Sequence, residues 1–323
     1  MYPSKIVITK RKELKSICIL VILLMISYAC KKDHTTKTSS VEDRPKRETV
    51  EIISDHMDFQ MPDSISSGWH TFKYNNRSKE THFFLVDKYP EGLSIKNMKT
   101  EVGPVFQKGM DLIMEGKPEE GIAAFSKLPE WYFKVVFVGG SGLLSPESSS
   151  LTTLKLEPGY YVIECYVKMT NGTFHSNMGM VKSLIVTSEV SKVTPPEPTN
   201  EIVISSTEGI VVKDSVHGGH QIFSVFFMDQ MVHENFVGHD INLVRVEKGA
   251  DISSLESWIN WADPKGLISP APSGFTFLGG VNDMPQGSKA YFEVDLSPGV
   301  YVLISEVPNA ASKNLLKTFT IPN

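Results

Sequence analysis

The sequence predicts a mainly β protein built from two tandem β-sandwiches of Greek-key type. Short apolar stretches, many alternating with a period of two residues, are separated by turns rich in Gly and Pro, which is the pattern of such sandwiches. The pattern occurs twice, because LEPGYYVIEC at 156–165 matches LSPGVYVLIS at 296–305 without a gap. An internal duplication, with about 130 residues in each copy, therefore organises the chain.

The duplication also predicts where the domains lie. We expect a first domain at 49–190, a Pro-rich linker at 191–200 and a second domain at 201–323. In the first domain, apolar residues recur at steps of three and four, which predicts a helical insertion at 93–128. The corresponding insertion in the second copy is shorter, at about 252–261.

The first 29 residues have the layout of a bacterial lipoprotein signal peptide. A positive stretch precedes an apolar run at 17–26 that is too short to cross a bilayer as a helix. Ala29 directly precedes Cys30, as in a lipobox, although Ser27 stands where Leu is usual. We therefore expect lipidation at Cys30, anchoring to the outer membrane of the bacterial envelope, and a flexible tether at 30–48. The alternative is an ordinary cleaved signal with an incidental cysteine.

Charge and motif content disfavour two function classes. Without the signal peptide, 27 basic and 36 acidic residues remain, a net charge of −9 with neutral histidines, which disfavours nucleic-acid binding. The sequence has no G-x-S-x-G, no H-E-x-x-H and no phosphate-binding glycine loop. No pair of acidic residues is singled out by its spacing as acid and base. We therefore expect no enzymatic activity.

The order of features in the first copy resembles the cupredoxins. An opening strand is followed by FQMPDSISSG, a histidine heads a later strand, and PGYYVIEC is followed by a second histidine and a GM pair before the last strand. The resemblance covers residues 49–187 well and 200–323 more weakly. It implies tandem cupredoxin-like domains of the kind found in exported bacterial proteins.

The resemblance also implies one copper site. In cupredoxins two histidines, a cysteine and a methionine hold the ion, and these positions fall on His82, Cys165, His175 and Met180, with Met178 as a substitute axial ligand. Thiolate and imidazole bind copper in both oxidation states, and a weak axial thioether tunes the potential. The implied function is electron transfer or copper handling, with a redox or envelope protein as partner.

The loop that carries the second histidine departs from the family pattern. Nine residues separate Cys165 from His175, more than cupredoxins usually have. A small hairpin at 170–173 (TNGT) would close this longer loop, because Asn-Gly is a favoured two-residue turn.

The second copy lacks the ligand set. Ser305 replaces Cys165, Leu315 replaces Met180, and the loop with the second histidine is missing, although His239 remains. We expect this copy to be structural. The alternative for the whole protein is a metal-free module that binds or scaffolds a partner at the envelope. In that case Cys165, the one cysteine left for the folded part, is a packing residue.

Two further groups are weaker candidates. Four histidines within 23 residues would form a metal site only if the fold gathered them, the alternative being surface and turn histidines. They are His217, His220, His233 and His239. Trp258, Trp261 and Tyr291 are candidates for an exposed ligand platform, with packing between helix and sheet as the favoured alternative.

Overall fold

The computed structural model describes residues 48–323. The predicted signal peptide, Cys30 and nearly all of the predicted tether lie outside these described residues, so those assignments remain predictions. Within 48–323, no helix is both long enough and apolar enough to cross a membrane.

Strands dominate the described part of the chain, where they form one twelve-stranded and one four-stranded sheet. They are β1 (Thr49–Asp55), β2 (Asp58–Gln60), β3 (Ser64–Asn76), β4 (Leu85–Lys88), β5 (Val136–Gly140), β6 (Ser148–Leu156), β7 (Gly159–Glu164), β8 (Val181–Val190), β9 (Asn200–Ser205), β10 (Gly209–Val212), β11 (Gly219–Phe227), β12 (Ile241–Val246), β13 (Phe275–Val281), β14 (Lys289–Leu296), β15 (Gly299–Ile304) and β16 (Leu316–Ile321).

The two copies share one strand topology. In the first, β1 runs parallel to β3, β3 is antiparallel to β6, β4 lies between β5 and β7, and β7 is antiparallel to β8. The second copy repeats these pairings: β9 runs parallel to β11, β11 is antiparallel to β14, β12 lies between β13 and β15, and β15 is antiparallel to β16. The predicted fold class is confirmed: the protein is mainly β, with two tandem sandwiches. The domain bounds and the linker remain predictions.

Helices form the predicted insertion of the first copy. The helices of the insertion are α1 (Ile95–Asn97), a π-helical turn (Met98–Val102), α2 (Gly103–Met114) and α3 (Pro118–Ala124). Outside the insertion, α4 (His175–Met178) lies in the first copy and α5 (Ile252–Ile259) in the second. The π-helical turn ends directly before α2, where Pro104 stands in the first helical turn and needs no N–H partner.

One predicted strand begins later than its sequence indicates. Apolar residues at 132–138 predict a strand, but Tyr132–Lys134 form a 3₁₀ turn and β5 begins only at Val136. The ring of Tyr132 packs against Phe106 of α2, with centroids 5.6 Å apart. Packing on the insertion therefore overrides the local β propensity of this segment.

Backbone and side-chain hydrogen bonds join the two copies. Strands β6 and β14 pair edge to edge, so the first sheets of the copies are continuous. Between β5 and β6, the N–H groups of Gly142 and Leu143 donate to the amide oxygens of Asn282 at 2.8 Å and Asn242 at 2.7 Å. Gly142 has φ +62°, and a Cβ there would lie 2.6 Å from the nitrogen of Gly280. This close approach requires glycine.

We expect Asn242→Ala to lower the free energy of unfolding by at least about 2 kcal/mol, because the buried Leu143 N–H loses its acceptor. Urea denaturation measures this change. Asn75→Ala is the matched control, since that side chain donates only to Glu51 at an exposed position. It should change the free energy of unfolding by less than about 0.5 kcal/mol. Equal changes in the two variants would contradict a stabilising role for the Asn242 bond.

Candidate metal centre

A backbone bridge positions His82 just before β4. The N–H of His82 donates to the carbonyl of Leu144 at 3.1 Å, and the N–H of Leu144 donates back at 2.7 Å. Leu144 in turn bridges to Leu278 of the second copy. The side chain of His82 is fully buried. Both repeats within the chain therefore contribute to the position of His82.

The long loop after β7 returns to Cys165 through a small hairpin. The N–H of Met169 donates to the carbonyl of Thr173, and Gly172, with φ +83°, donates back to Met169, both at 2.8 Å. The turn that we expect at 170–173 is therefore present. Beyond it, the N–H of His175 donates to the carbonyl of Val167 at 2.8 Å. The extra loop length is taken up by the hairpin, outside the buried cluster.

Three donor atoms from distant parts of the sequence converge. Sγ of Cys165 lies 3.8 Å from Nδ1 of His82 and 3.8 Å from Nδ1 of His175, and the two Nδ1 atoms are 3.0 Å apart. All three side chains are 0% exposed. This is the one group of three or more His, Cys, Asp or Glu side chains that converges among residues 48–323.

The two methionine candidates occupy different environments. Met180 is fully buried in the same apolar cluster as Cys165, and Met178 is 45% exposed. The N–H of Met180 donates to the carbonyl of His175 at 3.0 Å, and the N–H of Cys165 donates to the carbonyl of Met180 at 3.2 Å. The backbone thus ties Met180, but not Met178, directly to two of the three donors.

Burial keeps all three donors uncharged. It lowers the pKa of His82 to about 3, with a further contribution from His175, and it lowers the pKa of His175 to about 4. Burial also raises the pKa of Cys165 to about 12, although N–H groups of Phe83 and Val167 donate to its sulfur and oppose the shift. At neutral pH the cluster therefore holds two neutral imidazoles and a thiol.

This donor set fits a copper ion. A thiol sulfur and two imidazoles in a buried pocket are the ligand chemistry of mononuclear copper and zinc sites. The two Nε2 atoms have no partner among the described residues, and the two Nδ1 atoms face each other and the sulfur. The N–H groups on Sγ would support a thiolate once a metal displaced the proton.

The second copy replaces the sulfur by a polar pair. Ser305, at the position of Cys165, is fully buried and donates to Oδ1 of Asp240 at 2.6 Å. Asp240 also accepts from the N–H of Glu306 at 2.7 Å and from Asn242 at 2.7 Å. His239 is buried here, but no second copper-type donor set surrounds it within the described residues.

The weaker candidates do not assemble into sites. The four histidines form no common cluster in the described part of the chain: His220 pairs with Glu293 at 3.2 Å, whereas His233 contacts His239 with ring centroids 5.3 Å apart. The three aromatic residues of the suggested platform pack at separate places. Trp258 contacts Phe277, Trp261 contacts Tyr166, and Tyr291 contacts Trp69. Packing between helix and sheet holds for Trp258, which joins α5 to β13, and the three residues form no common platform.

Sequence reasoning missed a group of four acidic residues, of which Asp240 and Glu306 are buried and Glu164 and Asp283 are half-buried. Glu164, Asp240, Asp283 and Glu306 all line one pocket between the copies. Their spacing in sequence carries no signal. Alignment of the two copies does offer one signal, because three of the acidic residues stand next to a donor position or its counterpart in the second copy. Glu164 adjoins Cys165, Asp240 adjoins His239 and Glu306 adjoins Ser305.

No family model and no curated protein matches this chain significantly. Similar solved structures include reduced auracyanin from Roseiflexus castenholzii, with 20% identity over 44% of this chain and 99% of that chain, at a TM-score of 0.27. Auracyanin A, a blue copper protein from Chloroflexus aurantiacus, has 19% identity over 43% of this chain and 98% of that chain, also at 0.27. A multicopper oxidase has 11% identity over 85% of this chain and 88% of its own, at 0.23. At TM-scores below 0.5, these likenesses carry no argument about the site.

We predict that the two histidines make the stability of the metal-free protein depend on pH. Their folded pKa values lie below the ordinary 6.5, so the unfolded chain takes up protons first, and stability falls as pH drops from 6.5 towards about 4. Replacing both histidines by Gln should reduce the slope of unfolding free energy against pH by about 1.4 kcal/mol per pH unit for each histidine.

Urea denaturation between about pH 4.5 and 6 in the presence of a chelator measures this slope. Asn75→Ala is the control, because it removes no titratable group, and its slope should match the wild type. An unchanged slope in the double variant would contradict the assignment of these histidines as neutral buried groups.

Proposed function

We propose that the protein binds one copper ion through His82, Cys165 and His175, with Met180 as a weak axial ligand. The observation that carries the proposal is the convergence of three donor atoms within 3.8 Å at fully buried side chains. The resemblance of the sequence to cupredoxins supports the same four residues.

Copper at this set would supply a one-electron redox couple. The chain's own residues would hold the ion in an apolar enclosure, since each donor is 0% exposed and the cluster belongs to the main core. The sulfur must lose its proton on binding, and the N–H groups of Phe83 and Val167 would then stabilise the thiolate.

Electron transfer is the better supported of the two copper functions. A protein that delivers copper exchanges its ion with a partner, which requires ligands that a partner can reach. Here the donors are enclosed, and the loop with His175 is fastened to the second copy through backbone bonds of Lys168 with Leu267 and Ser269, at 2.9 and 2.7 Å. A braced, buried site favours retention of the ion, with small changes in geometry between oxidation states. The proposal includes no catalytic turnover.

We predict that Cu(II) gives the purified protein an intense visible absorption from thiolate-to-copper charge transfer, at one ion per chain. Cys165→Ser should abolish the band, because the hydroxyl oxygen cannot replace the thiolate as donor. The band should disappear on reduction with dithionite and return with an oxidant. A band that survives Cys165→Ser, or no band at all, would overturn the copper proposal.

The two methionines provide a matched pair for the axial position. Met180→Leu should shift the band and the reduction potential, because the buried thioether is lost from the core that holds the donors. Met178→Leu, at a 45% exposed position, should leave both unchanged. The opposite result would assign the axial role to Met178.

We also propose that the protein is held at the bacterial outer membrane by lipid on Cys30. An anchor with two or three acyl chains binds stably, because each buried methylene contributes about 0.8 kcal/mol. Cys30→Ser should move the protein from the membrane pellet to the soluble fraction after cell lysis and ultracentrifugation. Incorporation of radiolabelled palmitate should be lost in the same variant. Continued labelling of Cys30→Ser would contradict lipid attachment at this residue.

A further inference from the structure

A pocket lies between the two copies, beside the buried donor cluster and separate from it. It is lined by side chains from the insertion, from β7 and the loop that follows it, and from the second copy. The cluster and the pocket approach each other through neighbours in sequence, since Glu164 and Ser176 line the pocket and Cys165 and His175 do not.

Aromatic rings form the wall of the pocket. Six of them follow one another, each with its centroid 4.5–6.5 Å from the next: Tyr166, Trp261, Phe174, Phe106, Tyr132 and Phe236. Such a wall provides a large apolar surface and several π faces, which attract cations as well as apolar groups.

Carboxyl groups supply the polar part of the pocket, and one of them lacks a partner. Glu306 is 1% exposed; its Oε2 accepts from the hydroxyl of Tyr166 at 2.9 Å, and its Oε1 has no hydrogen-bond partner among the described residues. A buried carboxyl oxygen without a donor is unfavourable unless a ligand supplies one. Asp240, by contrast, already accepts from Ser305 and Asn242.

The ionisable groups in the lining are all acidic. Burial, with repulsion from Asp240, raises the pKa of Glu306 well above its ordinary range, so a bound cation would favour its ionised form. Glu164, Asp240, Asp283 and Glu306 contribute acidic groups, and the lining residues include no Lys, Arg or His. The nearby ammonium of Lys168 lies behind the wall, where it donates to the carbonyl of Pro264 at 2.9 Å. It also lies 5.2 Å from the ring centroid of Trp261.

We propose that this pocket binds a small organic cation, an amine or ammonium group on an apolar body. Donor groups of the cation would meet Oε1 of Glu306, and its body would lie against the aromatic wall. A bare metal ion is disfavoured, because no three of the pocket's carboxyl groups converge within the described residues.

The test compares two probes of nearly equal shape on the metal-free protein: 2-phenylethylamine and its uncharged counterpart 2-phenylethanol. Isothermal titration calorimetry should show the amine binding at least about tenfold more tightly, because only the cation makes a charge-assisted bond with the carboxyl group and a cation–π contact. Equal affinities, or no binding of the amine at millimolar concentration, would overturn the proposal.

Two variants locate the site. Glu306→Gln keeps an acceptor for Tyr166 but removes the acid, so the amine should bind about tenfold more weakly and the alcohol about equally well. Glu208→Gln, an exposed turn residue, should change neither affinity. Phe236→Leu, on a partly exposed loop, keeps the apolar contact and removes a π face, so it should weaken the amine more than the alcohol.

Thermal unfolding checks that each variant remains folded. If Glu306→Gln does not fold, Phe236→Leu still decides the test. Unchanged amine affinity in the folded variants would overturn the assignment of the pocket. The copper proposal is tested separately, because Cys165→Ser should lose the visible band and still bind the amine.

Discussion

The backbone bridge between His82 and Leu144 is the interaction on which the candidate metal centre depends. Leu144 pairs with His82 on one side and bridges to Leu278 on the other, so the position of the first imidazole is set by the contact between the two copies. The loop with His175 is braced in the same way, because Lys168 forms backbone bonds with Leu267 and Ser269. The second copy, which has no copper-type ligand set, therefore acts as the support for both sides of the buried donor cluster in the first.

The duplication shows how one fold accommodates two different cores at the same place. In the first copy, the end of β7 places Cys165 in a buried cluster with two imidazoles. In the second, Ser305 and Asp240 form a hydrogen-bonded pair at 2.6 Å, which satisfies the buried hydroxyl without any metal. The strands around both positions keep the same pairing, so the fold does not require the donor set.

Strand alternation explains why the metal centre and the acidic pocket are neighbours. Successive side chains point to opposite faces of a strand, so the end of β7 directs Cys165 into the core and Glu164 towards the pocket. The same separation occurs after the hairpin, where His175 joins the donors and Ser176 lines the pocket. One layer of side chains would therefore separate a ligand in the pocket from the donor atoms, on the side of the cluster that faces the second copy.

The sequence by itself predicted most of the strands, the repeat and the helical insertion, because these depend on local periodicity and on comparison of the two copies. Its resemblance to the cupredoxins predicted the four donor residues. The sequence predicted the hairpin at 170–173 but not the return of His175 to Cys165, which depends on hydrogen bonds to Val167 and to residues of the second copy. Nor did it indicate the late start of β5, where packing of Tyr132 on the insertion outweighs β propensity. Only the tertiary structure decided the 3.0 and 3.8 Å separations of the donors and the gathering of Glu164, Asp240, Asp283 and Glu306 around one pocket. Such contacts join positions far apart in the chain, and their geometry follows from how the two sandwiches pack, which no local pattern encodes.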